Sequence, residues 1–227
     1  MTEHPRAAIL KTIALFKELP PSSLARIADV AGLQRFSAHA YLFREGEEPD
    51  FIYAFSEGGV VLTAGSGEKE AVIEFFGPGE CLLLPAALLG QPYLVNARAT
   101  SDGQALLVPA AKLRKLIDED VALAASCARM LSRHWRILIS QIKEIKTQSA
   151  LERVAHFIVS QAPATTGEAV LALPGMKKEV ATRLGITPET LSRTLRTLRK
   201  YGVEAEGDTF RIASLERVAS LLESPSP

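Results

Sequence analysis

Cysteine is nearly absent: the 227-residue chain holds two, Cys81 and Cys127, and no CxxC pair. Two thiols at that distance support neither a disulfide framework nor a structural zinc site, and they cannot supply the four thiolates of an iron–sulfur cluster. Two small buried apolar side chains are the plain expectation. No run reaches about eighteen uninterrupted apolar residues, so no membrane helix is predicted. The opening "MTEHPRAAIL" lacks a basic region followed by an apolar core and a small-residue cleavage site. That predicts a cytoplasmic rather than a secreted protein. Net charge is missing too, with 26 Lys and Arg against 26 Asp and Glu. An apolar fraction of 47% suffices for ordinary packed cores, in one large domain or two small ones.

Neutrality hides an asymmetry. Between Met176 and Lys200 stand Lys177, Lys178, Arg183, Arg193, Arg196, Arg199 and Lys200 against Glu179 and Glu189, a local surplus of five positive charges. A basic footprint confined to one element of a neutral protein is what binding a polyanion requires.

Along the chain, residues 6–17 and 21–31 have helical periodicity, the second with Pro21 and Ser22 or Ser23 as start signals. From about Leu33 to Pro109 short β-branched and aromatic runs ("FIYAF", "GVVLTA", "AVIEFF") alternate with turn clusters, which predicts an antiparallel sandwich or barrel. "TAGSGEKEAVIEFF" reads as a hairpin turning near Gly65 to Lys69.

After Pro109 the pattern is helical to about Ala150. Steps of four and three give Ile117, Val121, Ala124, Ala128, Leu131, Trp135, Leu138, Ile142 and Ile145, every one apolar. That is a coiled-coil seam over about four heptads, on a single helix of some 35 residues and roughly 50 Å. Leu123, Cys127, Met130 and Ile137 form a second apolar face for packing on the β domain. Two faces predict a parallel homodimer, with small Ala124 and Ala128 permitting close approach.

Helix 149–162, a strand over Ala169 to Leu173, helix 177–184, a turn at Gly185-Ile186, helix 188–201, a hairpin turning at Gly207-Asp208 and a helix over Leu215 to Leu222 follow. In "MKKEVATRLGITPETLSRTLRTL", Thr187 suits an N-cap and Pro188 the first helical position. Val180, Leu184, Ile186, Leu191, Leu195 and Leu198 supply apolar contacts, leaving Glu189, Ser192, Arg193 and Arg196 on the other face at i, i+3, i+4, i+7. A guanidinium fork, a carboxylate and a hydroxyl near a helix N-terminus are the groups that read base edges in a major groove. Glu189, Ser192 and Arg193 are the expected base readers of double-stranded DNA. Lys177, Lys178, Thr187, Thr190 and Arg196 are expected on the phosphate backbone, positioning without specifying. Within the second helix only Glu189 and Arg193 could form an i,i+4 ion pair, so a merely solvated basic helix explains little of the pattern.

With "LPGMKKEVATRLGITPETLSRTLRTLRKYGV", a wing, a long apolar-striped helix and a β-rich first half on the page, the chain resembles the Crp–Fnr family of bacterial transcription regulators. The resemblance spans nearly the full length, specific in the helix-turn-helix and diffuse in the β half. It implies an α+β fold: an N-terminal antiparallel β-roll like the cyclic-nucleotide-binding jelly roll with its helices (1–110), a dimerisation helix (111–147) and a winged helix-turn-helix (148–227). The E-x-x-S-R spacing of Glu189, Ser192 and Arg193 is similar to the fumarate–nitrate type and implies TTGAT-like half-sites in a palindrome. The cyclic-AMP receptor type would carry Arg at Pro188 and Gly at Ser192. RNA polymerase is an implied partner.

The sensor half departs from the family's ligand signatures. Leu84 stands where a ribose-binding Glu is expected, and Pro92-Tyr93 or Tyr93-Leu94 where Arg-Ser should be. The N-terminus has no cluster-binding cysteines, so no iron–sulfur cluster is expected, and the carbon-monoxide sensors' Cys-x-His pair is replaced at Leu83 and Pro85. Haem stays open, with His4, His39, His134 and His156 as candidate ligands. Leu82, Leu83, Leu84, Tyr93, Arg98 and His134 are the candidate effector pocket. What is missing, beside the E-x-x-S-R helix, resembles the nitric-oxide-responsive Dnr/Nnr-like branch. A constitutive regulator with a ligand-free roll and a cyclic-nucleotide-responsive one remain as alternatives. An enzyme is not expected, because the C-terminal half holds no Ser/His/Asp, Cys/His or paired-carboxylate arrangement.

Overall fold

A computed structural model describes residues 5–67, 70–82 and 85–223. The chain divides into two compact units, Met1–Arg136 and Ile137–Pro227. The first opens with α1 (Pro5–Leu10) and α2 (Pro21–Val30). It then lays down β1 (Gly32–Phe36), β2 (Tyr41–Phe43), β3 (Phe51–Glu57), β4 (Val60–Ala64), β5 (Ala71–Phe76) and β6 (Cys81–Leu82). A short α3 (Pro85–Leu89), β7 (Asn96–Ala99) and β8 (Gly103–Pro109) complete the β region. Two four-stranded antiparallel sheets result, in the orders β1-β8-β3-β6 and β2-β7-β4-β5. The expected hairpin is β4–β5, with Ala64 opposite Ala71; Lys69 at its tip lies outside the described residues.

The inner faces of the sheets meet in an aromatic core. Phe36, Phe43, Tyr53, Phe55, Leu82 and Tyr93 pack there with Val60, Leu62, Ala97 and Ala99. A second core joins the N-terminal segment to α4 (Ala110–Glu119) and to the first turns of α5 (Val121–Thr147). The helix expected over 6–17 stops at Leu10. Beyond it the chain makes tight turns, with Ile13 N–H bonded to Leu10 O and Ala14 N–H to Gly79 O. Those turns bury Ile13, Leu15 and Phe16 together, which the 3.6-residue period of a helix would not permit. Ser23 does not start α2; it is buried, and its side chain bonds Asp120.

The long helix is interrupted. Asp120 leaves helical conformation (φ −132°, ψ 98°), and its carboxylate accepts the N–H groups of Ala122 and Leu123 at 3.0 and 3.1 Å. Asp120 thus caps a new helix, α5, of 27 residues and about 40 Å. Ile117 therefore belongs to α4 and packs against the second core, off the expected seam. On α5, Leu123, Cys127 and Met130 are buried as expected, but Ile137 is exposed. Both cysteines are free and buried.

The second unit holds the end of α5, then α6 (Ala150–Gln161), β9 (Ala169–Ala172), α7 (Lys177–Arg183) and α8 (Pro188–Leu198). A 3-10 turn over Arg199–Tyr201 leads to β10 (Val203–Glu206), β11 (Thr209–Ile212) and α9 (Leu215–Glu223). Ser149 Oγ and Glu152 form a reciprocal capping box at the start of α6. The wing is a hairpin with Glu206 opposite Thr209, turning at Gly207-Asp208 as expected, and β9 pairs with β11 to make it three-stranded.

Candidate nucleic-acid interface

The turn between α7 and α8 is built by local chemistry. Gly185 has φ 65°, and a Cβ there would meet the Ile145 side chain at an ordinary 3.6 Å. The left-handed backbone, not lack of space, selects glycine. Thr187 is extended (φ −78°, ψ 157°), and its Oγ1 accepts the Thr190 N–H at 3.2 Å, while Pro188 fills the first helical position.

The α8 faces separate as the periodicity requires. Leu191, Thr194, Leu195 and Leu198 are buried, with α6 and α7 packed against the helix. Glu189, Ser192, Arg193 and Arg196 are all exposed on the opposite side. Lys178 and Thr187 are exposed, while Lys177 and Thr190 are half-buried. Glu179 is buried and its carboxylate accepts the Met176 N–H at 2.9 Å, so one of the two acids in the basic segment is turned inward. The exposed face is therefore more basic than the sequence count suggests.

Each base-reading candidate already has a local partner. The Glu189 carboxyl is held below its ordinary range, first by its own amide N–H, then by the Thr187 hydroxyl and the Arg193 charge. It is ionised at neutral pH and able to accept from an amino group. Ser192 Oγ donates to Pro188 O at 3.0 Å, which leaves its lone pairs outward. Arg193 Nη2 donates to Thr190 Oγ1 at 3.2 Å, and the Thr187 hydroxyl donates to that same oxygen at 3.2 Å. Sequence reading overlooked this chain of hydroxyls, although the T-x-x-T-x-x-R spacing of residues 187, 190 and 193 carries its signal. It also overlooked Arg153, whose Nη1 donates to Gln148 O at 2.6 Å and so satisfies a carbonyl at the end of α5.

The apolar residues of α5 outside the core form a stripe open to solvent. Val121 is 85% exposed and Trp135 66%, and Ala128, Leu138, Ile142 and Ile145 are exposed as well. Ala124 and Leu131 are half-buried, Leu131 against the second core.

The candidate effector pocket is not assembled as expected. Leu83 and Leu84 lie outside the described residues. Leu82 and Tyr93 are part of the aromatic core, the Tyr93 ring stacked on Phe43 at 3.9 Å between centroids. The Tyr93 hydroxyl donates to Phe51 O and that of Tyr53 to Leu42 O, both at 3.1 Å, so each buried phenol has a partner. Arg98 alternates with the core residues Ala97 and Ala99 and so projects from the other face of β7, away from that core. His134 does face the roll, as expected, its ring edge-on to Phe76 at 6.1 Å. Burial holds its pKa below the ordinary value, so it is neutral at physiological pH. His4 lies outside the described residues, and among them no three His, Cys, Asp or Glu side chains converge as a metal site.

A family model described as a cyclic nucleotide-binding domain matches residues 33–120, and one described as a Crp-like helix-turn-helix domain matches residues 152–221. The chain belongs to the Crp–Fnr family. It is a DNA-binding transcription regulator and not an enzyme. Among curated relatives, it is 27% identical to the nitrogen fixation regulation protein FixK of Rhizobium meliloti over 79% of this chain and 82% of that protein. It is 26% identical to the transcriptional activator protein FnrA of Stutzerimonas stutzeri over 75% and 72%. Among solved structures, FixK2 from Bradyrhizobium japonicum shares the fold at TM-score 0.75, with 24% identity over 87% of this chain and all of that one. A protein of Ruegeria pomeroyi aligns at TM-score 0.69, with 26% identity over 99% of this chain and all of that one. The Crp–Fnr architecture of antiparallel β domain, long helix and winged helix-turn-helix thus accounts for both units.

Proposed function

We propose that this Crp–Fnr regulator works in the cytoplasm as a parallel homodimer, with α8 of each chain reading a TTGAT-like half-site of a palindrome. One observation carries the reading: Glu189, Ser192, Arg193 and Arg196 are exposed together on one face of a capped helix whose other face is buried. Arg193 bridges guanine O6 and N7, Glu189 accepts from a cytosine amino group, and Ser192 Oγ lies between them. Lys177, Lys178, Thr187 and Arg196 meet phosphates. The stripe from Val121 through Ala124, Ala128, Leu131, Trp135, Leu138 and Ile142 to Ile145 is the seam between chains, and two-fold symmetry sets half-sites one turn of DNA apart. A small signal acts through residues 1–110, and RNA polymerase is the downstream partner; the E-x-x-S-R set and the lack of cluster cysteines fit a Dnr/Nnr-like role. Gel-shift titrations of Arg193→Ala and Lys178→Ala test the readout. Arg193→Ala should cost roughly 1–3 kcal/mol and relax base preference, while Lys178→Ala should weaken every sequence alike. An unchanged preference in Arg193→Ala sinks the assignment.

A second reading, DNA binding that needs no ligand in the roll, is favoured by the stacked Phe43 and Tyr93 that fill its interior. Absorption spectra of anaerobically purified protein, before and after haem addition, separate the two. A stoichiometric Soret band shifted by nitric oxide or carbon monoxide makes the roll a gas sensor and refutes the second reading. A featureless spectrum removes haem.

A further inference from the structure

A base-reading arginine is useful only if its fork is aimed before the DNA arrives. Arginine has a long, rotamer-rich side chain, and every torsion left free in the unbound protein is frozen at a cost on binding. On α8 the Arg193 guanidinium does not hang free, because Nη2 donates to Thr190 Oγ1 at 3.2 Å. That oxygen is itself held, since the Thr187 hydroxyl donates to it at 3.2 Å. Three consecutive polar groups therefore run Thr187, Thr190, Arg193 across the first two turns of the helix, ending on the guanine donor. Main-chain capping is independent of this chain, because the Thr190 N–H rather than its hydroxyl bonds Thr187 Oγ1.

We propose that Thr190 is a positioning residue for base specificity: its Oγ1 fixes the Arg193 guanidinium, leaving that group's remaining N–H donors to face the guanine edge. The inference rests on Arg193 being a base reader, and it replaces a phosphate contact as the principal role of Thr190. The two roles differ in what they change. A lost hydroxyl–phosphate contact lowers affinity for every sequence alike, with the salt slope unchanged because threonine neutralises no phosphate charge. A lost positioning bond lowers the ratio between right and wrong sites and leaves the salt slope alone.

The experiment uses full-length protein and two palindromic duplexes, one TTGAT-like and one with the guanine of each half-site replaced. Affinities of wild type, Thr190→Val, Thr190→Ser, Arg193→Ala and the Thr190→Val/Arg193→Ala double variant are measured at several salt concentrations. Valine matches threonine in shape and keeps the backbone cap, and a thermal melt verifies folding. Thr190→Val should lose about ten-fold in discrimination, the low end for one hydrogen bond to a charged donor, with an unchanged salt slope. Serine, which restores the oxygen, should recover it. In the Arg193→Ala background Thr190→Val should cost no further discrimination, because the bond it breaks is already gone. If Arg193→Ala abolishes discrimination while Thr190→Val keeps the wild-type ratio, the positioning role is overturned and base readout stands. If Thr190→Val lowers both affinities equally and leaves their ratio at the wild-type value, Thr190 is a phosphate contact and the positioning role is again overturned. If Arg193→Ala keeps the wild-type ratio, readout by Arg193 fails and the proposal fails with it.

Discussion

Ile142 offers the sharpest test of the dimer. It sits on α5, 50% exposed within the single chain. Full burial of an isoleucine is worth about 1.5–3 kcal/mol, so covering the exposed half contributes about 1 kcal/mol per chain. In a parallel pair the two Ile142 side chains meet across the two-fold axis, which makes about 2 kcal/mol per dimer. Ile142→Ala should therefore weaken dimerisation about 30-fold. Ile142→Asp adds two unpaired carboxylates to a dry seam, at several kcal/mol, and should raise the dissociation constant about a thousandfold or more. Sedimentation equilibrium reads the constant directly. The monomer left by Ile142→Asp should also lose tight binding to a palindrome, because only one half-site is then engaged. Lys143→Ala, one residue along and exposed, is the control and should leave the constant unchanged. An Ile142→Asp chain that stays dimeric with the wild-type constant would refute the α5 seam.

Two further outcomes follow from buried and capping groups. The Tyr53 phenol is pushed up to about 12 by burial, helped by the Asp50 and Glu47 carboxylates. A raised acid pKa means the unfolded chain releases that proton first, so this contribution, about 2–3 kcal/mol, is complete below pH 10 and is lost as pH rises to about 12. Urea midpoints of Tyr53→Phe should fall less steeply across that window than those of wild type; parallel curves would contradict the account. Asp120 is held below its ordinary value by the Ser23 hydroxyl and by the Leu123 and Ala122 amides. Its cap is present above pH 4 and is lost as pH falls through the lowered value. Asp120→Ala should cost about 1 kcal/mol at neutral pH and flatten the acid limb of a thermal stability profile. A variant as stable as wild type would show that α5 needs no cap there.

The helix-turn-helix was legible residue by residue, because its information is local. Thr187 and Pro188 start α8, Gly185 makes the turn, and a 3.6-residue period puts Leu191, Leu195 and Leu198 inside and Glu189, Ser192, Arg193 and Arg196 outside. The wing turn at Gly207-Asp208 followed from the same kind of chemistry. Periodicity also marked both faces of α5, yet it could not place the break at Asp120, because apolar spacing runs unbroken through a residue whose carboxylate stops one helix and starts the next. Nor could it show that Ile13, Leu15 and Phe16 leave the helical path to share one core. The sensor half shows the limit most clearly. Its short strands spoke for an antiparallel sandwich or barrel, and the family resemblance for a β-roll without the nucleotide signature, but alternation alone left Arg98 facing either way. Only the pairing of β7 with its neighbours put Ala97 and Ala99 inside and Arg98 outside. Likewise only packing brought Tyr93, distant in sequence from Phe43, onto its ring. Bonds and periods within one helix are written in the order of its residues. The filling of a space between two sheets depends on which strands meet, and the tertiary structure alone decides that.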